Sequence, residues 1–136
     1  MKNIGIWMDK RQALVLYLTN EVEKFKIITS EVEEYNAKGG SGSKLKGGPQ
    51  DVVHDSKYLA HEKNQLRNYF SKITENIKDV DQLALFGPAE TVDKFRKELK
   101  EKYKKLSSKV VVLKTVDSMT ENQVKALIRD FFKNYK

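Results

Sequence analysis

The chain has 136 residues, with 26 Lys/Arg against 19 Asp/Glu, a formal charge of +7 and an isoelectric point near 9.4. It contains no cysteine, which excludes disulfides, thiol catalysis and thiolate metal sites. No apolar run approaches the ~20 residues of a membrane span, and Met1-Lys2-Asn3 leads straight into strand-like sequence without a secretory apolar region. These bounds predict one domain over 1–136, in the cytoplasm, with no membrane partner and no small-molecule cofactor indicated.

Ile4-Gly5-Ile6-Trp7-Met8 is an apolar run that stops at Asp9, and Gln12 to Leu18 is rich in β-branched and aromatic residues, as strands are. Asp9-Lys10-Arg11-Gln12 reads as a polar turn between them. A third strand is expected over Val22 to Thr29, with Thr19-Asn20 as the second turn, so the first third of the chain is an antiparallel meander. Glu31 to Asn36 is acidic and either extends the third strand or leads into the loop Ala37 to Asp51, AKGGSGSKLKGGPQD. That stretch holds Gly39, Gly40, Gly42, Gly47 and Gly48 and almost no apolar side chain, so burial cannot offset the entropy of ordering it and a mobile loop is predicted.

Asp55 or Ser56 can cap a helix running to about Lys78, with Leu59, Leu66, Phe70, Ile73 and Ile77 on its buried stripe. Gln82 to Phe86 is a buried strand ended by Gly87-Pro88. The spacing of Val92, Phe95, Leu99, Tyr103 and Leu106 predicts one amphipathic helix over 89–105, followed by a strand over 109–114. Thr120-Glu121-Asn122-Gln123 is a capping box opening a final helix that buries Val124, Leu127, Ile128 and Phe131. The element order is β-β-β-α-β-α-β-α, and crossovers of right-handed sense set the later strands parallel to the first. The fold class is therefore α/β, a mixed five-stranded sheet with a ribonuclease-H-like arrangement.

The positive charge is unevenly placed: residues 1–93 carry 13 Lys/Arg against 14 Asp/Glu, and residues 94–136 carry 13 against 5. It is densest from Lys94 to Lys105, which is equally readable as a solvated helix face or as a surface for nucleic acid. Asp9, closing the first strand, suggests a metal-dependent nuclease, but two-metal chemistry needs several converging carboxylates and the sequence supplies few. A turn residue is the stronger reading. His54 and His61 are two potential ligands without a third.

A glycine-rich loop containing Gly47, Gly48 and Gln50, entering a helix of the form KYLAHEKNQLRNYFSKI and then the strand QLALFGPAE, resembles the middle domain of archaeal and eukaryotic class-1 peptide release factors. The chain also resembles that domain's small single-domain bacterial relatives. The resemblance implies that Gly47, Gly48 and Gln50 correspond to the family's Gly-Gly-Gln, which promotes hydrolysis of the peptidyl-tRNA ester at the ribosome. Pro49 stands as an insertion before the glutamine. Lys38, Lys44, Lys46, Arg67, Lys94 and Lys97 become candidates for contacts with RNA phosphates, and the ribosome and tRNA become the expected partners. The alternatives are a module that binds RNA or ribosomes without catalysis and, behind it, the Asp9-based nuclease.

Overall fold

A computed structural model of the chain describes residues 1–20, 22–30 and 63–135. In chain order these form β1 (Lys2–Met8), β2 (Gln12–Thr19), β3 (Val22–Thr29), a helix over 63–75 (α1), β4 (Gln82–Gly87), α2 (Ala89–Lys102), α3 (Lys104–Ser107), β5 (Val110–Thr115) and α4 (Glu121–Asn134). The strands make one five-stranded sheet in the order β3-β2-β1-β4-β5. The β1/β2 and β2/β3 pairs are antiparallel, and the β1/β4 and β4/β5 pairs are parallel. The mixed α/β sheet expected from the sequence is thus present, with one additional helical turn.

Side chains alternate across the sheet and so build two cores. Ile4, Ile6, Met8, Ala13, Val15, Leu83 and Leu85 face α1 and α2, where Tyr69, Phe70, Ile73, Ile77, Val92, Phe95 and Leu99 cover them. Trp7, Leu14, Leu16, Ala84 and Phe86 face the opposite way, beneath Val124 and Ile128 of α4. The central strands β1 and β4 are buried on both faces, which is why both are nearly continuous apolar runs in the sequence. At Gly5 α4 comes so close that an added Cβ would run into the side chain of Ile128. Gly87 has a φ of +145°, and a Cβ there would strike the carbonyl of Met8.

Local chemistry sets the turns. Asp9 Oδ1 accepts from the amides of Arg11 (2.8 Å) and Gln12 (3.0 Å), holding the β1–β2 turn. Asn20 takes φ 46° between β2 and β3, a conformation asparagine tolerates better than most residues. The capping box of α4 is formed at both ends: Gln123 N donates to Thr120 Oγ1 at 3.2 Å and Thr120 N to Gln123 Oε1 at 2.9 Å.

Two helices depart from expectation. The helix predicted to reach Lys78 gives way after residue 75 to a turn over 76–79. The helix expected over 89–105 breaks at Tyr103 (φ −129°, ψ 62°), and α3 restarts it in a new direction with Leu106 buried. Strand length accounts for the break. Six residues of β4 span about 20 Å, and the fourteen of α2 span about 21 Å, so a longer helix would overshoot the start of β5.

Candidate nucleic-acid interface

The loop residues Gly47, Gly48 and Gln50, the lysines Lys38, Lys44 and Lys46, and both histidines lie outside the described residues. The other three site residues, Arg67, Lys94 and Lys97, are described, and the fold brings all three to one groove of about 470 Å³ between α1 and α2.

Each helix contributes one row. Lys63, Leu66, Arg67 and Phe70 follow i, i+3, i+4, i+7 spacing on α1, and Lys94, Lys97, Glu98 and Glu101 follow the same spacing on α2. The apolar members lie low: Leu66 and Phe70 are buried, and Phe70 meets Phe95 of α2 with ring centroids 5.2 Å apart. Lys63, Arg67, Lys94 and Lys97 are exposed above that floor. Glu98 and Glu101 supply the opposing charge, so four cations face two carboxylates across the lining.

Ion pairs bias the groove further. Lys94 stands 3.6 Å from the exposed Glu90, and Glu98, with a side chain only 17% exposed, stands 3.6 Å from Lys102. The exposed Lys94–Glu90 pair contributes little to stability and so holds Lys94 only weakly. Among the described residues, Lys63, Arg67 and Lys97 engage no carboxylate, which leaves their charge available to a ligand. Arg67 offers a planar fork of donors suited to phosphate, and the lysines offer point charges. Glu98 and Glu101 would repel phosphate but accept hydrogen bonds from hydroxyl or amino groups. Lys63 was missed by the sequence reading, although its place four residues before Arg67 was the available signal.

Asp9 is committed elsewhere. Its carboxylate holds the hairpin turn, and its carbonyl accepts a 2.9 Å hydrogen bond from Tyr69 Oη. Burial, followed by the nearby Asp9 carboxylate, pushes the Tyr69 phenol far above its ordinary value, so it remains a donor. Among the described residues no three His, Cys, Asp or Glu side chains are grouped as a metal site requires. No described helix is long and apolar enough to cross a membrane.

No protein-family model matches the sequence, and no curated protein matches it. The fold does have solved counterparts. The Pelota protein of Thermoplasma acidophilum superposes with a TM-score of 0.55 at 14% identity, over 95% of this chain and 32% of that one. The archaeal translation termination factor aRF1 superposes with a TM-score of 0.56 at 10% identity, over 97% of this chain and 39% of that one. The likeness at these identities is one of fold, and the chain spans only about a third to two fifths of the longer proteins it matches.

Proposed function

We propose that this chain is a translation-factor-like, ribonuclease-H-like domain, cytoplasmic and related to the middle domain of class-1 release factors. It binds the ribosome or tRNA and presents the Gly47-Gly48-Pro49-Gln50 loop to the peptidyl-tRNA ester for codon-independent hydrolysis. The observation that carries the reading is the superposition of nearly the whole chain on Pelota and on a translation termination factor. The convergence of Arg67, Lys94 and Lys97 on one groove supports the RNA contact, since that lining carries more cations than carboxylates.

In this reading Gln50 orients water at the ester and stabilises charge developing there, while ribosomal RNA supplies the rest of the site. Pro49 favours a second reading. Proline fixes its own φ and disfavours helical backbone in the residue before it, which limits the freedom that a Gly-Gly turn otherwise offers. In this second reading the domain binds RNA or the ribosome without catalysing.

The two readings separate in a peptide-release assay on purified stalled ribosomes carrying peptidyl-tRNA with an empty acceptor site. Wild type and Gln50→Ala are compared, with co-sedimentation recorded on the same samples. Release by wild type and not by the variant, both remaining bound, supports hydrolysis. Binding without release supports the non-catalytic module. Absence of both removes the translational reading.

A further inference from the structure

A second concavity, of about 640 Å³, opens where β1, β2 and β3 pass the end of α1. Lys2, Lys24 and Lys26 line it from two strands, Tyr17 stands between them on β2, and Asn76 closes it from the turn after α1. The strand register explains the grouping. Tyr17 pairs directly with Lys24 on β3 and with Ile4 on β1, and Lys2 and Lys26 fall two residues away on the same face. Lys24 and Lys26 are therefore about 7 Å apart along the strand, a separation comparable with that of successive phosphates in an extended nucleic-acid strand.

The charge here is purer than in the α1–α2 groove. Three lysines and no carboxylate line the concavity among the described residues. Lys2 is 3.9 Å from the exposed Asp79, and Lys26 Nζ donates to Asn76 Oδ1 at 2.6 Å, whereas Lys24 has no described partner. Tyr17 is half-buried against the core, so its ring is held in place while part of it faces the concavity.

We propose that this concavity is a binding site for single-stranded nucleic acid, with Lys24 and Lys26 on successive phosphates and a base against Tyr17. Cations that follow the backbone beside a fixed aromatic ring are the features that hold single strands without reading sequence. An acidic peptide would use the lysines but would have no use for the ring. Burial raises the Tyr17 phenol above its ordinary value, so the hydroxyl remains a neutral hydrogen-bond donor. The site shares the RNA-binding part of the proposed function, is independent of its catalytic part, and adds a contact outside the α1–α2 groove.

The test is fluorescence anisotropy with a labelled dodecauridylate at stepped salt. Lys24→Gln/Lys26→Gln is expected to weaken binding tenfold or more at low salt. It should also flatten the dependence of log affinity on log salt by about 1.4, since each phosphate lost removes ~0.7. Tyr17→Leu is expected to weaken binding several-fold with the slope unchanged, and Tyr17→Phe to preserve it. Thermal melts identify any variant that fails to fold, and Lys24→Gln alone, which disturbs no described contact, repeats the test. The site is overturned if the double variant keeps wild-type affinity and slope, if polyglutamate displaces the oligonucleotide as well as unlabelled oligonucleotide does, or if wild type does not bind it. Ribosome co-sedimentation of wild type alongside any of these three results would remove this site and leave the proposed function standing.

Discussion

Arg129 of α4 and Glu23 of β3 are joined by a two-pronged ion pair across 106 positions of sequence, with Arg129 Nε donating to Glu23 Oε1 at 2.9 Å and Nη2 to Oε2. The contact ties the last helix to an edge strand. Beside it Lys125 Nζ lies 4.4 Å from the centre of the Phe25 ring, so α4 grips β3 by two polar contacts rather than by a deep core.

The hydrogen bond from Arg129 holds the Glu23 carboxyl below its ordinary value of 4.5. A depressed carboxyl contributes stability above its unfolded pKa and loses it as pH falls through the folded value. Glu23→Gln should therefore melt lower than wild type at pH 7. The gap should begin to close below about pH 4.5, vanish once the folded carboxyl is protonated, and shrink in high salt because the pair is exposed. Paired thermal melts from pH 7 to pH 2.5 would show it, and a gap unchanged across that range would contradict the assignment.

Gly5→Ala should be destabilising although it adds a single methyl. The new Cβ meets the Ile128 side chain, and relieving that overlap costs about 1–3 kcal/mol. The overlap is mainly with the two γ carbons of Ile128, which Ile128→Ala removes, so Gly5→Ala should cost less in that background than in wild type. Urea denaturation of the two single variants and the double variant would then show coupling rather than additivity.

Much of the fold was readable because its strongest constraints are local. Ile4 to Met8 and Leu83 to Phe86 are two-sided apolar runs, and the Thr120–Gln123 capping box announces its helix unaided. What escaped the reading depends on distant neighbours. The break at Tyr103 follows from matching helix length to strand length, which no window of sequence contains. The burial of Tyr69 beside Phe70 depends on a partner for its hydroxyl, and that partner is the backbone of Asp9, 60 residues away. Arg67, Lys94 and Lys97 were nominated individually from the sequence, but only the pairing of α1 with α2 shows that they share a groove. Lys2, Lys24 and Lys26 look like ordinary exposed strand positions until the β1–β2–β3 register gathers them.

The turn role of Asp9 has its own signature. Asn can accept the same two amide hydrogen bonds, so Asp9→Asn should leave stability within about 0.5 kcal/mol of wild type. Asp9→Ala should cost about 1 kcal/mol, as the loss of a comparable capping oxygen does. Divalent metal should change neither result. A metal-dependent nuclease activity that disappears in Asp9→Asn would instead revive the catalytic reading of this residue.

The α1–α2 groove predicts effects of opposite sign on its two kinds of charge. If RNA phosphates lie along Lys63, Arg67 and Lys97, then Arg67→Ala and Lys97→Ala should each weaken RNA binding and each lower the salt slope by roughly 0.7–0.9. Glu98→Gln and Glu101→Gln remove carboxylates from the same lining and should strengthen binding, most visibly at low salt where screening is weakest. Glu101→Gln is the cleaner of the two, because Glu98 also stands near Lys102 and its loss frees a second cation. Affinity measured across a salt series for all four variants decides the matter. Parallel losses in the cation variants with gains in the carboxylate variants place the polyanion in the groove, whereas four unchanged affinities mean that RNA is held elsewhere on the molecule.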